Sequence, residues 1–143
     1  MQFGIFYEHQ LPKPWSEDDE FCLLRDALDQ VELADRLGFD YAWEVEHHFL
    51  DEYSHSSAPE VFLAAAAART TRIRLGHGIR QVIPKYNHPA RTAEGLATLD
   101  LISDAGSTSA SARERLDSSC TASTSRPSRS ERCRSKRPSR SPT

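Results

Sequence analysis

The sequence predicts an α/β fold built on a parallel sheet. Short apolar runs alternate with longer segments whose apolar residues recur every three or four positions, and the connections between them are brief. Titratable residues gather just after the apolar runs, where sites form at the C-terminal ends of parallel strands. Such alternation implies right-handed crossovers within one sheet, either doubly wound or closed as a (β/α)8 barrel.

The first strand is expected at Phe3 to Tyr7, a short run with two aromatics, followed by a loop from Glu8 to Pro14. Ser16 with Asp19 forms a capping box, and Glu17, Asp18, Asp19 and Glu20 place negative charge at the positive end of a helix. Apolar positions Phe21, Leu24, Leu28, Val31 and Ala34 define its buried face, and Gly38 after Leu37 is its stop. The second strand, Phe39 to Val45, is too continuously apolar to be half-exposed. Ser57 with Glu60 repeats the capping pattern, so a second helix should run from Pro59 through the alanines to about Arg69. A third strand holds Ile73, Leu75 and Ile79, with Gly76 and Gly78 where backbone or ligand approaches closely. After a loop from Pro84 to Pro89, a third helix to about Ile102 should turn Ala93, Leu96, Ala97 and Leu99 inward.

Charge is split along the chain. Residues 1–102 hold 17 acidic and 9 basic side chains and all 6 histidines, while residues 103–143 hold 4 acidic and 9 basic. Cys22, Cys120 and Cys133 have no ligand-like spacing, which argues against a disulfide framework. The start, MQFGIFYEHQ, lacks a basic leader and a long apolar core, and no apolar run reaches the ~18 residues of a membrane span. A reduced cytoplasm is the expected compartment.

The densest chemistry lies in WEVEHHF, residues 43–49, where an apolar run gives way to Glu46, His47 and His48. Imidazoles titrate near ~6.5 and can serve as acid, base or ligand. Tyr7, Glu8 and His9 follow the first strand, and His77, Gly78 and Arg80 end the third. Tyr7 and His9 are candidates for substrate contact; the competing reading makes His9 and His55 surface loop residues and His77 a packed strand residue. The segment LGHGIR lies in the third strand rather than the first turn, which disfavours a dinucleotide fingerprint. Glu46, His47, His48 and His55 offer metal ligands for a hydrolase, but adjacent histidines on an extended chain point apart and helical i, i+4 spacing is absent. No metal is therefore assigned.

Four ordered blocks, FGIFYEH, LGFDYAWEVEHHF, RIRLGHGI with its later NHPAR, and AEGLATLDLIS, resemble the N-terminal portion of the bacterial luciferase-like flavin-dependent monooxygenases and their coenzyme F420-dependent relatives. The resemblance covers residues 1 to 103, and implies the first three βα units of a TIM (β/α)8 barrel. It further implies reduced FMN or F420 as cofactor, a small organic substrate with O2, and dimeric full-length members. Carried over by position, His47 matches the family's active-site histidine. Gly78, Ile79 and Arg80 match the segment that supports the isoalloxazine ring, often through a non-proline cis peptide. His47 is expected to face the cofactor and His48 the barrel wall or an adjacent loop. Three such units leave an open sheet edge and a half-covered core, which predicts marginal stability, aggregation or dependence on a partner fragment.

The resemblance stops at the tail. From Ser103 onward 13 residues are serine and the only large aliphatic is Leu116, so a disordered segment 104–143 is expected. One reading is a basic Ser/Arg arm for nucleic acid; the other, favoured here, is a reading-frame shift. With TCN serine codons, regrouping the bases of 106–112 so that each triplet begins one base earlier admits the alternating series R-F-D-V-G-V-G. The favoured reading is thus a fragment of an oxidoreductase, inactive alone, with nucleic-acid binding not expected.

Overall fold

The computed structural model describes residues 1–103. Strand β1 (Gly4–Tyr7) leads to α1 (Asp19–Leu37), β2 (Tyr41–Glu44), α2 (Pro59–Ala67), β3 (Arg74–His77) and α3 (Pro89–Ile102). The strands form a parallel sheet in the order β1-β2-β3, with Tyr7 opposite Glu44 and Glu44 opposite His77. The expectations attached to residues 104–143, disorder and a nucleic-acid-binding arm among them, lie outside the described residues.

Side chains alternate across the sheet. Ile5, Tyr7, Ala42 and Leu75 look to one face and join a cluster with Leu28, Val31, Leu63, Ala66 and Leu99 from the three helices. All three helices thus bury against the same face. The opposite face carries Phe6, 54% exposed, and the half-buried Tyr41 and Trp43, whose rings stack 5.6 Å apart. Among the described residues the second strand is therefore covered on one face only, where its apolar residues had suggested cover on both.

Helix α1 begins at Asp19, three residues past the expected cap. Half of the capping box is present, because Asp19 Oδ2 accepts from the Ser16 backbone amide at 2.7 Å. Its end is a Schellman turn. Gly38 sits at φ 84° and donates to Asp35 O, while the amide of Phe39 reaches Ala34 O at 3.0 Å. Helix α2 starts with Pro59 in its first turn and Ala58, not Ser57, as the flanking residue; Glu60 turns to Arg80 instead of closing a capping box. Helix α3 matches its expected bounds, with the His88 side chain accepting from the Ala90 amide at 3.2 Å. Its packing does not match, since only Leu99 of this helix is buried and Ala93 and Ala97 are exposed. The reason is that α3 packs chiefly against α2, leaving the rest of its apolar stripe uncovered among the described residues.

Asp35 ties α1 to the entry of β3. Its carboxylate accepts the amides of Thr71, Arg72 and Ile73 at 3.1, 2.8 and 2.6 Å. Burial alone would raise this carboxyl, but the three amides and the charge of Arg72 outweigh it and hold it below the ordinary range. Cys22 lies in α1, and Cys120 and Cys133 lie outside the described residues. No helix among the described residues is long and apolar enough to cross a membrane.

Candidate active site

The three strands end side by side, so Glu8, the segment 46–48 and the segment 78–80 emerge along one rim. Two carboxylates organise it. Glu44 and Glu46 are 1% and 2% exposed, and buried carboxylates require hydrogen-bonding or cationic partners.

Glu44 lies on the helix side of β2 and takes Nε2 of His9 at 3.0 Å and the hydroxyl of Ser56. His9 is consequently 4% exposed, not a surface loop residue. Its ring stacks on Tyr7 at 5.4 Å and meets Phe62 edge-on at 4.8 Å. Burial of Glu44 is the physical reason, because a donor had to accompany it inward.

Glu46 faces the other way, into the loop before α3. It accepts from the Gln81 amide at 2.9 Å and from Asn87 Nδ2 at 2.8 Å, contacts His48 Nε2 at 3.0 Å, and pairs with Arg80 at 3.2 Å. Burial would raise its carboxyl, but those hydrogen bonds and the Arg80 charge prevail and lower it. His48 is held between this carboxylate and the hydroxyl of Tyr86 at 3.0 Å. His47 turns elsewhere. Its Nε2 lies 3.5 Å from Glu8 Oε2, its ring meets Tyr53 edge-on at 5.8 Å, and its amide donates to Ser56 O at 2.9 Å.

At the end of β3, the ring of Phe6 crosses over Gly78, where a Cβ would sit 2.4 Å from Phe6 Cε2. Glycine is required for that close approach. Arg80 is shared between Glu46 and Glu60, and Ile79 is 37% exposed. The cis peptide among the described residues is Lys13–Pro14, so the non-proline cis bond expected near Gly78 is not present there. His77 is part-buried, and burial followed by the Arg80 charge lowers its imidazole. Tyr7 directs its hydroxyl to Ala27 O and Gln30 on α1, and burial with the Glu44 charge pushes it up to about 12. Tyr7 and His9 line, with Phe6, Glu8 and residues of α1, a cavity of about 390 Å³. No group of three or more His, Cys, Asp or Glu side chains among the described residues is arranged to hold a metal.

The family model of luciferase-like monooxygenases matches residues 1–105. The chain belongs to this family. Limonene 1,2-monooxygenase of Rhodococcus erythropolis is 43% identical over 106 residues, 72% of this chain and 25% of that protein. Among solved structures, the monooxygenase RslO1 of Streptomyces bottropensis aligns with a TM-score of 0.61 at 41% identity, over 74% of this chain and 31% of its own. The coenzyme F420-dependent tetrahydromethanopterin reductase of Methanopyrus kandleri aligns at 0.54 and 30% identity, over 74% and 25%. The oxygenating constituent of 3,6-diketocamphane monooxygenase from Pseudomonas putida, solved with FMN, shares the fold at 0.62 and 23% identity, over 73% and 27%. This chain spans about a quarter of the length of limonene 1,2-monooxygenase and of the similar 4-hydroxyprotoasukamycin monooxygenase of Streptomyces nodosus subsp. asukaensis.

The family's ring-shaped cofactors can be tested against the residues present. At the rim, the half-exposed ring of Phe6 lies over Gly78, an aromatic surface that suits a planar heterocycle. A phosphate is less well served, because the Arg80 guanidinium is already engaged by two carboxylates. Sequence reasoning passed over Glu44, Ser56, Tyr86 and Asn87. For Glu44 a signal existed: two carboxylates in W-E-V-E, inside a run otherwise apolar, must each bring a partner into the interior.

Proposed function

We propose that residues 1–103 are the first three βα units of a (β/α)8 barrel oxidoreductase that uses reduced FMN or coenzyme F420 on a small organic substrate, with O2 as co-substrate in the monooxygenase case. The observation that carries this reading is the family match over residues 1–105, which includes the EHHF segment at the C-terminal end of β2. Helices on one face of the sheet and an aromatic, uncovered opposite face support a barrel over a doubly wound sheet, which buries both faces.

In this reading the reduced cofactor supplies the electrons, and the chain supplies position and proton control. His47 stands at the rim and holds or moves a proton at the cofactor. Gly78 to Arg80 would hold the ring, with Phe6 lying over Gly78. Tyr7 and His9 contact substrate through the cavity they line with Glu8. Segment 104–143 is read as the product of a frame shift, and the nucleotide sequence after the Ser103 codon, read in all frames, decides that point.

The functional test uses a chain whose frame is restored after Ser103. His47→Ala should lower turnover by about 10² to 10⁴ with reduced-cofactor binding nearly intact. His48→Ala should act chiefly on stability. Reversed effects, or full turnover in both variants, sink the assignment.

A further inference from the structure

We propose that Glu8 is the positioning residue for His47, fixing which ring nitrogen carries the proton. The inference rests on the reading of His47 as the proton-handling group, and it adds a partner from a different βα unit.

The sheet places the two residues together. Tyr7 ends β1 opposite Glu44, and the Val45 amide donates back to Tyr7 O at 3.3 Å, so the chains leave the sheet side by side. Glu8 is the next residue on one chain, and His47 follows two residues after Val45 on the other. Glu8 Oε2 and His47 Nε2 lie 3.5 Å apart, with side chains 22% and 20% exposed. That oxygen is sealed from solvent and has no hydrogen bond. A sealed, unpartnered carboxylate oxygen facing an imidazole nitrogen calls for a proton between them.

Among the described residues, the two buried carboxylates of the rim are already partnered. Glu46 is saturated by His48, Gln81, Asn87 and Arg80, and Glu44 by His9 and Ser56. The backbone supports the same assignment. His9 at φ 51° and Phe49 at φ 58° are the non-glycine residues with positive φ among those described. One directly follows Glu8 and the other directly follows His48, so both loops reverse in a left-handed conformation just behind the pair. Such a conformation is disfavoured for a bulky L-residue. Phe49 is fully exposed and gains no burial in return.

A carboxylate can only accept. Glu8 therefore selects the neutral imidazole with its proton on Nε2, which leaves the lone pair on Nδ1. Proton uptake by His47 then occurs at Nδ1, and Glu8 holds the ring against rotation while it happens.

Nitrogen-15 NMR of the histidine rings in the 143-residue chain, titrated to high pH until the signals stop moving, reads the tautomer without reference to activity. Wild type should show His47 as Nε2–H. Glu8→Ala should reduce that preference by about tenfold, because the carboxylate that attracts the Nε2 proton is gone. His48, held by Glu46, should keep its signal and so report that the rim remains folded. If Glu8→Ala unfolds the chain, Glu8→Asp takes its place, and its shorter reach should give an intermediate ratio. An Nδ1–H tautomer in wild type overturns the proposal, as does an unchanged His47 ratio in a folded Glu8→Ala chain. A correct tautomer alongside a fully active His47→Ala enzyme would keep the pair but remove its catalytic purpose.

Discussion

Asn87 donates from Nδ2 to Glu46 Oε1 at 2.8 Å across 41 residues of chain. This bond fastens the loop before α3 to the exit of β2, and Asn87 also donates to Gln81 O at 2.9 Å, closing the loop on itself. Asn87→Ala should cost about 1–3 kcal/mol. Glu46→Gln should cost more, on the order of 3 kcal/mol, because it removes the charge that Arg80 and His48 face in a buried setting. Urea denaturation gives the magnitudes. Amide exchange should quicken at Gln81 in both variants while the amides of β1 stay protected.

Asp35 gathers three successive amides at the entry to β3. Asp35→Ala should destabilise by about 2 to 3 kcal/mol, with three donors left unmatched in a part-buried turn. Asp35→Asn keeps an acceptor oxygen but loses charge, so it should fall between. Equal stability of wild type and Asp35→Ala would count against the cap.

Stability should fall on acidification in two stages. His77 has a folded value below its ordinary one, so the unfolded chain binds the proton more readily and stability drops as pH falls below ~6.5. Asp35 and Glu46 are depressed carboxylates, whose contribution is present above their unfolded values near ~4 and is lost as pH falls through the folded ones. Chemical denaturation of His77→Asn should show the first stage removed and the second intact. At the alkaline end, Tyr7 at about 12 keeps its proton while the unfolded phenol loses it, so stability should fall above ~10, and not in Tyr7→Phe.

Gly78→Ala places a methyl 2.4 Å from Phe6 Cε2, and something must shift. Phe6 is half exposed, so its ring can swing away at the loss of its own contact. The substitution should cost about 1–2 kcal/mol in wild type and much less in a Phe6→Ala background. A double-mutant cycle with no coupling would mean that the two residues do not meet.

The isolated chain should melt below ~45 °C or without a cooperative transition by circular dichroism. Two strands are sheet edges among the described residues, and Phe6, Val82, Ile83, Leu101 and Ile102 are all more than half exposed. Apolar area left in water contributes nothing to folding. On the barrel reading proposed above, addition of a polypeptide carrying the later strands should raise the transition.

Periodicity along the chain was enough for the element order, the bounds of α3, the stop at Gly38 and the rim where His47 and His48 stand, because each depends on residues close in sequence. The resemblance carried by EHHF added the family. Packing was different, since it depends on residues far apart. That His9 is buried follows only from Glu44, 35 positions later; that His48 is tied to Tyr86 and His47 to Glu8 follows from three strand ends lying in register. Burial turned the two carboxylates of β2 into hubs, because a charge leaving water must find its partners in whatever loops the sheet brings near.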